Sequence, residues 1–436
     1  MVVDSVHPVY VTRLPEWSRA RDVLSGEDAV KAAGERYLPR LDSQSEDEYS
    51  AYRARASFFN ATSRTVEEHL DLVFRRAPAV ELGEKCSGLR GFVADCDLWG
   101  LDFARYARRV VGEVLGIGRA GSLVLWDGGA TRPCVSMWRA EDILNWEVER
   151  VDGRARLVGL VLRDGAGVRV VRLVGEECFV ESWARGDEGL VLVERAKLVR
   201  DGAAVGFVPF VFHGPRHSRP EPDRLPLADI VAANLDHYRL DADYKHGLHF
   251  AALPTAWVTG FDKSAPLRIG SSTAWVSEIP GASAGFLEFT GAGLAYIERA
   301  MERVERRMAL LGARMLEAAP ADGEGGARPG GELCGLGSVV ASLNQSLSAV
   351  LRLARWWCVG GRAEAPGGVS IIMNTDLAQR PISGENLAAV VGAWRAGAIS
   401  RDTMLELLRR GEVLPDGRTV AQERALIHRA GGAAVR

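Results

Sequence analysis

The chain has 436 residues, 47% of them hydrophobic and 25% charged, with 54 basic residues against 57 acidic ones and a formal net charge of -3. That length allows two or three domains with real cores. The near balance of charge excludes a protein that grips nucleic acid through its overall field, so any contact with DNA is local or weak.

The six cysteines (Cys86, Cys96, Cys134, Cys178, Cys334 and Cys358) show no C-x-x-C and no histidine partners at zinc-finger spacing, and read as reduced, partly buried thiols. The opening MVVDSVHPVYVTRLPEW lacks a basic stretch followed by an apolar one. No run approaches the roughly 18 apolar residues of a membrane span, so the reading is cytoplasmic, with no membrane partner.

In chain order, Tyr49, Tyr52, Phe59, Val66, Leu70 and Val73 recur at near-helical intervals among charges and predict one or two amphipathic helices over 46–76. A helix from about Leu98 to Leu115 follows, stopped by Gly116 and Gly118. From Ser122 to Phe212 the pattern changes to short β-branched runs, among them SLVLWD, ILNWEVERV, GVRVVRLV and GLVLVER. Asp-Gly pairs at 127–128, 152–153, 164–165 and 201–202 punctuate them, which predicts a mostly antiparallel sheet with hairpin turns needing positive φ.

HGPRHSRPEPDRLP (213–226) reads as a linker, and a helix from about Leu227 to Leu248 follows. Strand candidates lie around 256–259, 272–276 and 285–289. Helices are predicted from about Gly293 to Leu316 and from about Ser338 to Trp357, separated by AAPADGEGGARPGG (318–331), too rich in Gly and Pro for regular structure. The tail offers a strand, VSIIMN, and three short helices, with Ser400 as N-cap of the second and Gly397 and Gly411 as stops.

Residues 227–250, LADIVAANLDHYRLDADYKHGLHF, place His237, His246 and His249 beside Asp236, Asp241 and Asp243. They raise an alternative function, a metal-dependent hydrolase using His237, Asp241, His246 and His249. Helical spacing pairs His237 with Asp241, Asp243 with His246 and His246 with His249, but at different angles around the axis, and there is no H-E-x-x-H. Leu227, Ile230, Val231, Asn234, Leu235, Tyr238 and Leu248 meanwhile trace an apolar-to-aromatic stripe. A packed helix with a wet polar face, its histidines exposed or interfacial, accounts better for the pattern.

Gly116-Ile117-Gly118-Arg119-Ala120-Gly121 matches G-x-G-x-x-G, but a helix precedes it and a strand follows, the reverse of a dinucleotide fingerprint. No G-x-S-x-G elbow and no Lys-Ser/Thr after the Gly-rich loop is present. RDTMLELLRR and AQERALIHRA alternate in charge and suit a packing module better than a helix-turn-helix reader. No metal or cofactor is expected.

The clearest periodicity is Leu294, Ile297, Met301, Val304, Met308, Leu311 and Met315, at alternating intervals of three and four. This is a seam that packs lengthwise on another helix, in its own bundle or in copies of itself around a ring.

The order of elements, together with YLPRLDSQSEDEYSAYRARASFFNATSRTVEEHLDLVFRRAP (37–78), ILNWEVERVDGR (143–154), NLDHYRLDADYKHGLHFAALPTAWVTG (234–260) and GAWRAGAISRDTMLELLRRGEVLP (392–415), resembles the portal proteins of tailed bacteriophages, in a subfamily catalogued as a phage domain of unknown function. The resemblance covers nearly the whole chain. It implies an α+β portal fold: an N-terminal arm (1–36), a helical and antiparallel-sheet wing (37–225 and 335–365), stem helices (226–250 and 289–317), a small α/β clip (251–288), a tunnel loop (318–334) and a helical crown (366–436).

It also implies a non-enzymatic ring of about twelve subunits, a dodecamer, at the capsid vertex of a virion assembled in the host cytoplasm. Its implied partners are the terminase large subunit, which supplies ATP hydrolysis, a head-tail adaptor, the major capsid protein and sequence-independent double-stranded DNA during packaging and ejection. The site residues implied are Asp322, Glu324, Arg328 and Glu332 facing DNA from the tunnel loop. Phe261, Lys263, Arg268, Trp275 and Glu278 fall in the clip, and Tyr238 joins the seam residues in stem packing.

Overall fold

A computed structural model describes residues 2–433 apart from 84–87, 188, 253–254, 262–274, 288–290, 317–334, 361–367, 376–383, 412 and 416–417. It is mixed α and β. The helical N-terminal part comprises α1 (Pro8–Ser25), α2 (Glu27–Ala32), α3 (Glu46–Arg55) and α4 (Ala61–Val73), followed by the short strand β1 (Ala79–Glu81) and by α5 (Leu89–Ala94) and α6 (Phe103–Ile117). Then come β2 (Ala120–Asp127), β3 (Arg132–Arg139), β4 (Ile143–Val151), β5 (Arg154–Asp164), β6 (Gly167–Val174), β7 (Glu177–Gly186), β8 (Gly189–Lys197), β9 (Val199–Arg200), β10 (Ala203–Ala204) and β11 (Phe210–His213). The rest is α7 (Ala228–Ala252), β12 (Thr255–Thr259), β13 (Ser283–Leu287), α8 (Leu294–Arg314), α9 (Leu336–Val359), β14 (Ser370–Ile372), α10 (Gly384–Arg395), α11 (Arg401–Arg410) and α12 (Val420–Ala433).

The chain divides into two compact units, one of residues 1–24, 62–231 and 311–436, the other of 25–61 and 232–310. In the first, an antiparallel sheet of order β4-β5-β6-β7-β8 buries Val161, Val168 and Val170, with Trp183 and Leu190 packed against them. Its buried carboxylate, Glu181, is paired with Arg172 at 2.7 Å and Arg195 at 3.4 Å. A second sheet, β11-β2-β3, packs on α9, whose Leu343, Leu347, Val350 and Leu351 are fully buried. The indole of Trp357 donates to the Val124 carbonyl at 3.0 Å, tying the end of α9 to β2.

The predicted hairpin chemistry holds at two of the four Asp-Gly pairs; at 164–165 only Gly165 has positive φ (58°), and at 127–128 neither residue does, the positive φ in that turn belonging to Thr131 (52°). Asp152 and Gly153 have φ of 51° and 76°, and Asp201 and Gly202 have 49° and 79°, the paired positive values of a two-residue turn. The G-x-G-x-x-G stretch is the helix-to-strand connection: Gly118 caps α6 at φ 83°, a conformation glycine adopts without steric cost. A Cβ on Gly121 would lie 2.1 Å from Phe210 Cζ, so this glycine lets β11 close on β2.

Several expectations need correction. The predicted helix from Leu98 begins instead at Phe103, because the Asp102 side chain accepts the Arg105 N–H as N-cap and 95–101 form a loop. Within 1–36, where the sequence predicts no element, lies the 18-residue helix α1, which carries Pro15 inside and buries Tyr10, Trp17, Ala20 and Val23. Of the 272–276 strand candidate, Trp275 and Val276 are not in a strand and the rest lies outside the described residues. The third candidate is β13, and it pairs antiparallel with β12.

Candidate functional site

In the second unit, α7 and α8 flank the hairpin β12-β13. The polar residues of α7 brace the helix rather than meeting one another. Asn234 Nδ2 donates to the Phe59 carbonyl at 2.6 Å, and Asp241 Oδ2 accepts the Ser57 N–H at 2.6 Å while pairing with Lys245 at 3.2 Å. The Tyr52 hydroxyl donates to Asp243 Oδ1 at 2.5 Å, and Arg239 Nε donates to the Tyr37 carbonyl at 2.9 Å. Burial, and then the Asp243 carboxylate, push the Tyr52 hydroxyl well above its ordinary range. Burial also pushes Tyr238 up to about 12, and its hydroxyl has no hydrogen-bond partner among the described residues.

Of the two expected settings, exposed or interfacial, His237 takes the second: it is 5% exposed and lies 3.0 Å from Glu305 Oε1 of α8. His246 stands edge-on to Tyr52 and Phe250, and its pKa is lowered by burial first and by Arg55 second. His237, Asp241 and Asp243 thus have separate partners. Among the described residues no three His, Cys, Asp or Glu side chains gather as a metal set.

The α8 seam is only partly covered. Met308 and Met315 are buried, whereas Leu294, Ile297, Met301, Val304 and Leu311 are half-buried. On another face Tyr296 and Leu310 stand 73% and 51% exposed. Of the clip residues, Phe261 and Trp275 are half-buried and Glu278 is exposed, while Lys263 and Arg268 lie outside the described residues. So do Asp322, Glu324, Arg328 and Glu332.

Two buried polar arrangements in the first unit were not anticipated. Tyr106, Ser122, His213 and Ser346 form a chain with contacts of 2.5, 2.6 and 2.8 Å. Ser346 gives its proton to the Leu343 carbonyl, so it accepts from His213 Nδ1. His213 Nε2 must then accept from Ser122, and Ser122 from Tyr106. Burial drives the His213 pKa down to about 3, fixing a neutral ring.

Arg119 is 2% exposed, with its guanidinium 4.1 Å from the Trp146 ring centroid and 5.1 Å from that of Phe212; none of its side-chain nitrogens has a hydrogen-bond partner among the described residues. Aromatic faces take the place of acceptors there. Only the glycine spacing around Arg119 was visible in the sequence.

Residues 226–358 match the family described as Domain of unknown function (DUF4055). No curated protein matches the chain. Similar solved structures include a chain of "Neck of empty GTA particle computed with C6 symmetry", 15% identical, with a TM-score of 0.46, covering 90% of this chain and 99% of that one. A chain of "Virion of native gene transfer agent (GTA) particle" is 16% identical with a TM-score of 0.44, and the match covers 90% of this chain and 99% of that one. A chain of "Neck of native GTA particle computed with C12 symmetry" is 15% identical with a TM-score of 0.40, covering 88% and 98%.

Proposed function

We propose that this chain is the subunit of a portal, a homo-oligomeric ring at a capsid vertex through which double-stranded DNA is packaged and ejected. The observation that carries the reading is α8. Of its 21 residues one, Met308, is buried. A helix of that length spans roughly 30 Å, and helices in water owe most of their stability to packing rather than to propensity. A half-covered seam with Tyr296 and Leu310 open on another face is a helix short of neighbours, and identical copies side by side supply them. The sequence resemblance to tailed-phage portals supports the same conclusion, and the family match spans the same helices and hairpin.

In this reading α7 and α8 are the stem, 251–288 the clip that meets the terminase and the head-tail adaptor, 318–334 the tunnel loop, and 366–436 the crown. The charge balance suits the task. Each phosphate neutralised by a cation adds affinity, so a duplex that must slide needs a wall without a dominant positive field, which a net charge of -3 per subunit provides. The role is structural, and ATP hydrolysis belongs to the docked motor.

Light scattering and negative-stain imaging of the purified chain test this. A ring with a central hole is expected. A protein that remains a monomer at every concentration examined overturns the reading.

A further inference from the structure

Two further stripes run along α8 beside its seam. Each seam residue from Leu294 to Met308 is followed by one residue of an acidic stripe, Ala295, Glu298, Glu302, Glu305 and Ala309, and then by one of a basic stripe, Tyr296, Arg299, Arg303, Arg306 and Leu310. All of these side chains are exposed. One residue turns a helix by about 100°, so the two stripes stand on separate flanks, both turned away from the seam. Within the chain the basic stripe is uncompensated. Arg299, Arg303 and Arg307 follow one another at four-residue steps, a like-charge spacing that costs a helix stability, and none of them has an ion-pair or hydrogen-bond partner among the described residues. Arg306 comes no nearer than 3.8 Å to the Glu302 carboxylate. Glu298 likewise has no ion pair among the described residues, and the Glu305 side chain stays 51% exposed beside His237.

The basic stripe calls for carboxylates at its own pitch, and a second copy of α8 has them. A closed ring relates its copies by rotation alone, so helices that run along the ring axis meet without a shift in height, residue for residue. The acidic residue opposite each basic-stripe position is then one place back in sequence, about 1.5 Å away along the axis. That offset holds at every level, because both stripes repeat the three- and four-residue steps of the seam. Duplex DNA is the other anion a portal meets. A free arginine row repeated around a channel, however, would grip phosphates and stall the duplex.

We infer that the basic stripe of α8 in one copy docks on the acidic stripe of α8 in the next. Arg299 faces Glu298, Arg303 faces Glu302 and Arg306 faces Glu305 of the next copy, while at the two ends Tyr296 covers Ala295 and Leu310 covers Ala309. Each cation meets a carboxylate and each large apolar side chain a small one. The contact is heterologous, so every copy keeps one free flank of each sign until the ring closes. It rests on the portal reading and deepens it by naming the two surfaces that meet.

Two variants of the full chain test it. Arg299→Glu with Arg303→Glu makes both flanks acidic, and Glu298→Arg with Glu302→Arg makes both basic. Because the stripes are exposed, each variant is expected to keep the circular dichroism spectrum of the wild type. Each alone is expected to need at least about tenfold more protein for half-assembly, since like charges then face each other at every contact. Mixed in equal amounts they are expected to form rings at the wild-type concentration, with the two kinds alternating. Rings of the acidic variant alone at that concentration would assign the arginine row to DNA or solvent and overturn the inference. A mixture that assembles no better than its components overturns it too, as does a lost helical signal in either variant, which would place the stripe inside the fold. These results leave the portal reading standing, whereas a wild-type chain that forms no ring removes both.

Discussion

Acidification should weaken this protein through one imidazole. His213 is neutral in the fold, with a pKa near 3 against an ordinary value of 6.5. Between those values the unfolded chain binds a proton that the folded chain refuses, so stability is fully present above about pH 6.5 and falls as pH drops towards 3. Each pKa unit corresponds to about 1.4 kcal/mol, giving a limiting loss of about 5 kcal/mol and, by about pH 5, about 2 kcal/mol. The structural cause is burial: the ring is 1% exposed, and its Nε2 accepts the Ser122 proton while Nδ1 gives its own to Ser346, the arrangement of a neutral imidazole.

The assay is urea unfolding of wild type and His213→Gln at about pH 7.5 and about pH 5. The variant is expected to start lower, having lost part of the chain of hydroxyls, and to lose about 2 kcal/mol less than wild type on acidification. Burial also lowers the His69 pKa, but that group is common to both proteins and cancels. Equal losses in the two proteins would refute a neutral, buried His213.

Other consequences can be checked separately. Gly121→Ala should lower stability by about 1–3 kcal/mol, seen as a drop in thermal midpoint, since Phe210 must yield to the new methyl; an unchanged midpoint would mean β2 and β11 are not so close. Leu310→Glu should alter monomer folding by less than about 0.5 kcal/mol yet prevent ring formation, and rings of normal size would show that this face of α8 meets no neighbour. Asp241→Ala should cost about 1–3 kcal/mol by orphaning the Ser57 N–H, and a neutral result by urea titration would count against the bracing role. Elemental analysis should find no stoichiometric metal, and zinc lost on His246→Ala would restore the hydrolase.

What could be read from the residues depended on range. The α8 repeat and the Asp-Gly pairs are local signals: the helix lies where its repeat put it, within a few residues, and the pairs at 152–153 and 201–202 are the expected turns, whereas at 127–128 neither residue has positive φ. The helix start at Phe103 moved because Asp95, Asp97 and Asp102 compete for nearby N–H groups, and several partitions of those bonds look alike in sequence. The α1 helix was hidden by Pro15, although Tyr10, Trp17, Ala20 and Val23 keep a helical interval. Sequence left His237 as either exposed or interfacial because its partner, Glu305, is 68 positions away, and the His213 chain joins residues 91 and 133 positions apart. No short-range pattern encodes such meetings.

The second unit has a consequence for synthesis. Its first part, 25–61, leaves the ribosome long before its second, 232–310, and the Tyr52–Asp243 bond joins positions 191 residues apart. At roughly 5–20 residues per second the nascent chain waits about 10–40 s between them. During that interval Tyr52 and Phe58 have no α7 to cover them, while much of the other unit is already available to fold. Translation speed and chaperone supply should therefore govern the yield of native chain more than its final stability does.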